Sequence, residues 1–136
     1  KVTTTRGAQM KFSLLPGLAL VALAACDVGG TETSIPEALQ GRWGLVAADC
    51  DPARDDAKGL MTVTKTSLAF YESRAVLGAV HGRSASRITA DFAFAGEGQT
   101  WSRRISLRIS EGGQDLVRED LGDDAALLEL TYGRCP

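Results

Sequence analysis

Histidine and closely spaced cysteines are scarce in this sequence. His81 is the only histidine, and none of the three cysteines forms a C-x-x-C pair, so the ligand sets of common zinc sites are missing. The sequence also has no G-x-S-x-G, H-E-x-x-H or phosphate-binding glycine motif. No nucleophile or orienting acid lies beside His81 in sequence. We therefore predict that the protein is not an enzyme and holds neither a metal nor a cofactor.

No apolar run is long enough to cross a bilayer as a helix, which takes about 20 residues. The main apolar run, residues 12–25, has 14 residues and directly follows Lys11. A positive residue followed by a run of this length is typical of a signal peptide. The run ends in Leu23-Ala24-Ala25-Cys26, which resembles the lipobox of bacterial lipoproteins.

The lipobox resemblance implies that residues 10–25 are removed on export and that Cys26 becomes a lipid-modified N-terminus carrying palmitate. Several acyl chains would make the attachment effectively permanent, because one chain alone binds a membrane only reversibly. We expect a protein of the bacterial cell envelope that faces the periplasm; Asp27 does not decide between the inner and the outer membrane. An ordinary secretory signal beside an incidental Cys26 is the alternative. Residues 1–9 are interpreted as an upstream extension.

Acidic residues outnumber basic residues once this leader is set aside. Lys1, Arg6 and Lys11 are the only charged residues before Cys26, so the remaining chain has 12 basic and 17 acidic residues and a net charge of −5. This balance argues against a nucleic-acid partner and against attraction to an anionic membrane surface.

Two cysteines remain after Cys26 is assigned to the lipid. In an oxidising compartment we expect Cys50 and Cys135 to form a disulfide. In the chain-entropy model so long a loop makes the bond worth roughly 4 kcal/mol. A metal site at these cysteines lacks further ligands. The disulfide is therefore the favoured interpretation.

Residues 26–34 are small and polar, and we interpret them as a lipidated tether. Residues 35–136 are expected to form one mainly β domain, a small antiparallel barrel or curled sandwich of about seven strands that follows a short helical turn. In a seven-stranded meander the first and last strands run the same way, which would bring Cys50 and Cys135 to one end. Eight strands would separate them.

Two segments between residues 68 and 82 are predicted to depart from a regular strand. A strand is predicted over residues 68–77, with a bulge or strand end near 71–73 because Glu72 would otherwise continue the apolar face. Residues 78–82, which include His81, are predicted to be a mobile connector.

The clearest hairpin spans residues 83–110, where apolar and polar residues alternate on both sides of a glycine-containing turn. A turn at 96–99 would pair Phe94 with Trp101, and Asp91 with Arg104. Core and surface residues then separate correctly on both strands.

Arginine is the most suggestive polar residue of this hairpin. Arg103 falls on the apolar side, where a guanidinium requires a partner, and we predict that Glu72 is this partner. The other arginines of the hairpin could form a face that binds an anion or a protein, or simply a solvated strand face. The arginines of this predicted face are Arg83, Arg87, Arg104 and Arg108.

The first strand, predicted over 42–49, opens with Gly41-Arg42-Trp43. A short helical turn that leads into G-x-W resembles lipocalins and related small β-barrels, in which the tryptophan packs across the closed end and a later arginine stacks on it. The resemblance implies a barrel that carries a hydrophobic ligand, but the sequence does not place the arginine. The alternative is that Trp43 is an ordinary core aromatic.

Acidic residues also cluster after the first strand. Their spacing departs from the calcium-loop pattern, and a solvated acidic loop is favoured. These residues are Asp49, Asp51, Asp55 and Asp56.

These observations favour a lipid-anchored periplasmic module that binds a protein partner in the envelope, comparable in architecture to the small β-barrels among bacterial lysozyme and protease inhibitors. The alternative is a carrier of a small hydrophobic ligand, although a domain of about 110 residues filled by large apolar side chains has little room for a cavity.

Overall fold

The computed structural model describes residues 32–123 and 129–136, which form a closed barrel of eight antiparallel strands in sequence order. The predicted fold class, a small antiparallel β-barrel with a short N-terminal helical turn, is confirmed. Short 3-10 helices span Glu37–Leu39 and Ala47–Cys50. The strands are β1 (Gly41–Gly44), β2 (Leu60–Val63), β3 (Ser67–Ala69), β4 (Arg74–Ser84), β5 (Arg87–Gly96), β6 (Gln99–Ile109), β7 (Asp115–Leu121) and β8 (Glu129–Arg134).

Several predictions concern residues outside these ranges. The signal peptide, Cys26 and most of the tether lie before residue 32. The sequence also predicts a last strand over residues 125–132, and its first part lies within 124–128. In the part of the chain that is described, no helix is long and apolar enough to span a membrane.

The barrel has one strand more than the sequence predicts, because the strand expected over 68–77 reverses direction. A straight strand would place the Glu72 carboxylate on the apolar inner face, and burying an unpaired charge is costly. The chain instead turns, and the Phe70 N–H donates to the Ser73 carbonyl at 2.8 Å. The two halves become β3 and β4. The predicted strand end near 71–73 is confirmed, and the single strand is wrong.

The disulfide depends on a first strand that is shorter than predicted. After Gly44 the chain folds back through the second 3-10 helix; glycine suits this turn, since a Cβ there would lie 2.9 Å from the backbone oxygen two residues on. Cys50 thereby reaches Cys135, and the two are bonded with their Cα atoms 5.2 Å apart. The predicted disulfide is confirmed. The strand-parity argument for it is wrong, because the fold-back allows the bond with eight strands.

The register predicted for the central hairpin is confirmed. Phe94 lies opposite Trp101 and Asp91 lies opposite Arg104. The turn between β5 and β6 consists of Glu97 and Gly98, both with positive φ, 50° and 75°. Such turns match the right-handed twist of the strands that they join.

Residues 78–82, predicted as a mobile connector, are instead the middle of β4. The pairing of β4 with β5 is interrupted between Leu77 and Val80 and again between Val80 and Gly82. These bulges bend the strand locally. Gly78 permits a close approach to β5, since a Cβ there would lie 2.9 Å from the Asp91 carbonyl oxygen.

Inner side chains of the strands fill the barrel. Every strand from β1 to β8 contributes at least one buried apolar residue. Alternation along β5 places Ile88, Ala90, Phe92 and Phe94 inside. The largest fully buried side chains are those of Ile35, Pro36, Leu39, Trp43, Met61, Leu68, Ile88, Phe92, Ile105, Leu107 and Leu116.

The chain before β1 closes one end of the barrel. The Ile35 N–H donates to the carbonyl of Lys65, in the turn after β2, at 2.8 Å, and the Trp43 indole N–H donates to the Leu39 carbonyl at 2.9 Å. We call this the plugged end. The opposite end, which includes the connections after β1, β3 and β5 (residues 45–59, 70–73 and 97–98), we call the open rim.

Candidate functional site at the open rim

The large apolar side chains that are exposed in the described chain all lie at the open rim or on the strand ends beside it. Val46 is 61% exposed and Val76 is 58% exposed, whereas the plugged end buries its apolar residues. Exposed apolar patches are typical of interaction sites on soluble domains. The set comprises Leu45 and Val46 after β1, Tyr71 after β3, Val76 near the start of β4 and Trp101 near the start of β6.

Three of the aromatic rings at this end form a continuous stack. The Phe70 and Phe94 ring centroids are 5.9 Å apart, and those of Phe94 and Trp101 are 5.2 Å apart. The inner end of the stack is covered by the Arg118 guanidinium, whose carbon lies 5.0 Å from the Phe70 centroid. Trp101 forms the outer end and is 37% exposed. The stack therefore supports a tryptophan that solvent can reach.

An ion pair lies beside the stack on the inner side of β7. The Arg118 Nε and Nη2 atoms donate to the two carboxylate oxygens of Asp120 at 2.7 and 3.0 Å. Burial lowers the pKa of Arg118, but the hydrogen bonds and charge of Asp120 outweigh it, so the pKa is raised. Burial also raises the pKa of the neighbouring Tyr132 phenol.

Arg103 lies on the inner side of β6, as predicted, but not beside the predicted partner. Its Nε is 3.7 Å from Asp120, whose oxygens already accept hydrogen bonds from Arg118. The predicted pair with Glu72 is wrong, because Asp120 points inward from the adjacent β7 while Glu72 lies in the exposed turn after β3. Among the described residues, the Arg103 guanidinium makes no hydrogen bond.

Two hollows open on the barrel surface near these groups, and no fully buried core side chain lines either of them. The larger, about 540 Å³, lies beside the disulfide and includes Leu45 and Val46. The smaller, about 380 Å³, lies at the mouth of the barrel. The mouth hollow is lined by Glu72, Ser73, Gly96, Glu97, Gln99, Trp101 and Arg103.

The predicted arginine face is divided by the fold. Arg87 and Arg108 lie directly opposite each other on the outer surface, and Arg104 follows on the same face of β6. Arg83 does not join them: it pairs with the inward-facing Ile88. The fold therefore brings three of the four arginines together and directs Arg83 elsewhere.

Arg83 lies at the plugged end and contacts the segment before β1. Its Nε donates to the Ser34 carbonyl at 2.7 Å, and its Nη1 lies 2.8 Å from the Glu32 carboxylate. Arg83 thus fastens the segment before β1 to the barrel.

Two of the three outer arginines also have partners. Arg108 lies 3.3 Å from Glu129, and Arg104 donates to Asp91 at 2.8 Å. Within the described ranges, Arg87 alone of the three forms no salt bridge. Charges that are paired in this way are less available to an anionic ligand.

His81 joins this network through the β4 bulge. Its Nε2 lies 2.8 Å from the Asp91 carboxylate, which also accepts from Arg104. These hydrogen bonds, from Arg104 first and then His81, lower the pKa of Asp91 to about 2. Sequence reasoning found no acid for His81, because the partner is ten residues away on the next strand. The group is exposed and includes no nucleophile.

The acidic loop after β1 is braced by one of its own carboxylates. Asp49 is buried and accepts hydrogen bonds from the Val46 and Gly59 N–H groups at 3.0 and 3.2 Å. Asp51 accepts from the Ala53 N–H at 2.9 Å. The prediction of a fully solvated loop is therefore wrong for Asp49. The described residues contain no group of acidic, histidine or cysteine side chains that could hold a metal ion.

Two site features were not predicted from the sequence. The inner ion pair could have been found, because Leu116, Arg118 and Asp120 occupy alternate positions of one strand and thus share one face. The arginine that stacks on Trp43 is Arg134, at the end of β8. Only the assembled barrel places it there.

The chain matches no protein-family model, no curated protein and no solved structure.

Proposed function

We propose that the protein is a lipid-anchored lipoprotein of the bacterial envelope whose barrel is a binding module for a protein partner, with the open rim as its contact surface. The observation that carries the proposal is the collection of exposed apolar side chains at the end of the barrel opposite the plugged end. Tryptophan and arginine are the residues most enriched among interface hot spots, and Trp101 and Arg103 lie side by side at this end.

The position of the chain before β1 supports this orientation. Glu32 and Ser34 contact Arg83 at the plugged end, and Cys26 precedes Glu32 by six residues. A lipid on Cys26 would therefore hold the plugged end toward the membrane. The open rim would face away from the membrane, where a periplasmic partner can reach it.

The disulfide supports the proposed compartment. Cys50 and Cys135 are bonded, and structural disulfides persist in oxidising compartments such as the bacterial periplasm. The bond thus agrees with export through the signal peptide that residues 10–25 resemble.

A carrier of a small hydrophobic ligand has less support. Ligand sites usually enclose most of the ligand in a cavity, whereas Trp43, Phe92 and Met61 fill the barrel interior. The mouth hollow is a surface feature lined by charged as well as aromatic groups. It suits one or two side chains of a partner better than a lipid.

Anchoring can be tested by metabolic labelling with an alkyne analogue of palmitate in a bacterium that processes lipoproteins. We expect label on the full-length protein and none on a Cys26→Ser variant. An exported protein that carries no label, or a labelled Cys26→Ser variant, would contradict the anchoring.

The contact surface can be tested in the same cells with a photo-crosslinking amino acid. We expect a discrete protein adduct when it replaces Tyr71 at the open rim. The matched control replaces Arg87, on the outer face of β5, and should give none. Equal adducts from both positions, or none from Tyr71, would contradict the proposal.

A further inference from the structure

The disulfide between Cys50 and Cys135 lies at the larger of the two hollows, which we call the disulfide hollow. It measures about 540 Å³ and is bounded by the chain after β1 and by the end of β8. Cys50 is one of the residues that line it, and both cysteines are partly exposed. A reagent in this hollow would therefore lie beside one sulfur of the bond.

Two facing glycines leave room at this sulfur. Gly44 of β1 is paired with Gly133 of β8. A Cβ at Gly44 would lie 3.0 Å from the Cys50 Sγ, so glycine is what allows the sulfur to lie against β1. At Gly133 the nearest described atom to such a Cβ would be the Gly44 carbonyl oxygen, at 4.0 Å. The surface over Gly133 therefore has space for a small molecule beside the sulfur.

The walls of the disulfide hollow combine apolar side chains with a carboxylate. Leu45 and Val46 are exposed on one wall, and Asp51, next to the disulfide, is exposed as well. Arg134 also borders the hollow, but its guanidinium stacks on Trp43 and donates to carbonyls of the plugged end. A short aliphatic molecule with an ammonium group matches these walls, because opposite charges attract.

We propose that Cys50 is a site of thiol–disulfide exchange with a small cationic aminothiol. The thiolate of the aminothiol attacks the Cys50 Sγ from the disulfide hollow, a new S–S bond forms on Cys50, and Cys135 leaves as a thiolate. The proton lost by the incoming thiol is replaced, through solvent, by one on the leaving thiolate. The exchange therefore consumes no oxidant or reductant. The proposal goes beyond the proposed function and does not rest on it.

Other contacts keep the two cysteine-bearing segments in place when the bond opens. The Cys135 N–H donates to the Arg42 carbonyl at 2.9 Å, and Trp43 is paired with Arg134 in the adjoining strands. Asp49 braces the chain after β1 by accepting hydrogen bonds from two backbone N–H groups. None of these contacts uses a sulfur atom. We therefore expect the modification to occur on the folded barrel.

Cysteamine, an ethylene chain with one thiol and one ammonium group, tests the exchange. It is added under native conditions to the oxidised full-length chain, whose free thiols are first blocked with iodoacetamide. Early time points are quenched with N-ethylmaleimide, and cleavage after glutamate separates the two cysteines for mass mapping. We expect cysteamine on Cys50 and N-ethylmaleimide on Cys135. The rate should not rise in low urea, because attack from the hollow needs no unfolding.

A valine in the floor of the disulfide hollow tests the route of attack. Gly133→Val adds a strand-favouring side chain beside the Cys50 sulfur. It should slow the exchange at least about fivefold, because access to the attacked sulfur controls the rate. Gly82→Val is the matched control, since a Cβ at this β4 glycine also meets no described atom within 4 Å, and it should react like the native chain. Urea denaturation verifies that both variants are folded.

Asp51→Asn tests the preference for a cation. Asparagine keeps an oxygen that accepts from the Ala53 N–H but removes the charge. We expect the ratio of the cysteamine rate to that of neutral 2-mercaptoethanol to fall about twofold. The difference between variant and native chain should vanish in about 1 M salt, where charges are screened within about 3 Å. Asp55→Asn, at a residue outside the hollow, should keep the native ratio.

Four outcomes would overturn the proposal. They are cysteamine on Cys135 instead of Cys50, a rate that rises steeply with urea, equal rates for Gly133→Val and Gly82→Val, and a rate ratio that Asp51→Asn leaves unchanged. None of these readouts depends on a protein partner at the open rim or on a lipid at Cys26. Failure of the proposed function would therefore leave these results unaffected.

Discussion

The guanidinium carbon of Arg134 lies 4.0 Å from the centroid of the Trp43 ring. Two guanidinium nitrogens of Arg134 also donate to the carbonyls of Ala38 and Gln40, at 2.8 and 3.1 Å. One residue at the end of β8 therefore holds the tryptophan of β1 and the 3-10 helix that plugs the barrel. Between β8 and β1, Trp43 pairs with Arg134 and Gly44 with Gly133, so this short seam depends on side chains as well as on backbone pairing.

Replacing Arg134 should therefore weaken closure of the barrel. Arg134→Met keeps an unbranched apolar stem but removes the cation–π contact, worth about 0.5–2 kcal/mol, and hydrogen bonds worth about 1 kcal/mol each. We expect the free energy of unfolding to fall by about 1–3 kcal/mol, measured by urea denaturation. Arg108→Met is the matched control: its pair with Glu129 lies on the surface, so its loss should cost about 0–1 kcal/mol. Equal losses would show that Arg134 has no special role.

The disulfide also links the first and last strands, because Cys50 follows β1 and Cys135 follows β8. Cys50 and Cys135 are separated by 85 residues in the sequence, so the bond restricts a large part of the unfolded chain. Reduction should lower the free energy of unfolding by roughly 4 kcal/mol in the chain-entropy model, measured by urea denaturation with and without dithiothreitol. A Cys50→Ser/Cys135→Ser double variant should resemble the reduced protein and should not respond to dithiothreitol. A native protein that is insensitive to reductant would contradict the prediction.

Strand alternation made much of the barrel predictable. The register of the central hairpin follows from its apolar pattern and glycine-containing turn, and the pairing of Asp91 with Arg104 follows from that register. A strand predicted from the sequence over residues 115–121 matches β7, which spans Asp115–Leu121. Local pattern was sufficient for the β5–β6 hairpin, but it missed the reversal between β3 and β4 and the continuation of β4 through residues 78–82.

Apart from the disulfide, whose two cysteines were the only ones left to pair, the side-chain contacts between distant parts of the chain were not predicted. Arg134 and Trp43 meet only because the barrel closes, and Arg103 faces Asp120 only because β7 lies beside β6. The hairpin pattern alone could not show that Arg83 contacts Ser34. Alternation in the sequence assigns a side chain to one face of the sheet. It does not identify the residue that the side chain contacts on that face.

An acid titration tests the hydrogen bonds that Arg104 and His81 make with Asp91. The hydrogen bonds of Arg104 and His81 lower the pKa of this carboxyl from 3.8 to about 2. Because the folded-state pKa is depressed, the stabilising contribution is present above about pH 4 and is lost as the pH falls toward 2. Arg104→Gln removes the main cause, so the Asp91 pKa should rise toward its ordinary value in a ¹³C NMR titration. Arg87→Gln, a charge loss on the same face without contact to Asp91, should leave the pKa near 2; a rise there would contradict the assignment.

Because large side chains fill the interior, replacing a buried aromatic residue should lower the free energy of unfolding much more than replacing an exposed one. Phe92 is fully buried, and truncating a buried phenylalanine typically costs about 3–5 kcal/mol. Tyr71 at the open rim is 44% exposed, so Tyr71→Ala should cost less than about 1 kcal/mol while weakening the contact with a partner. Urea denaturation measures both stabilities. A fluorescent fatty acid provides the second test: the native chain should not take it up, because large side chains such as Trp43 and Phe92 fill the barrel interior. Saturable uptake that Phe92→Ala changes and Tyr71→Ala does not would instead favour a carrier with an internal site.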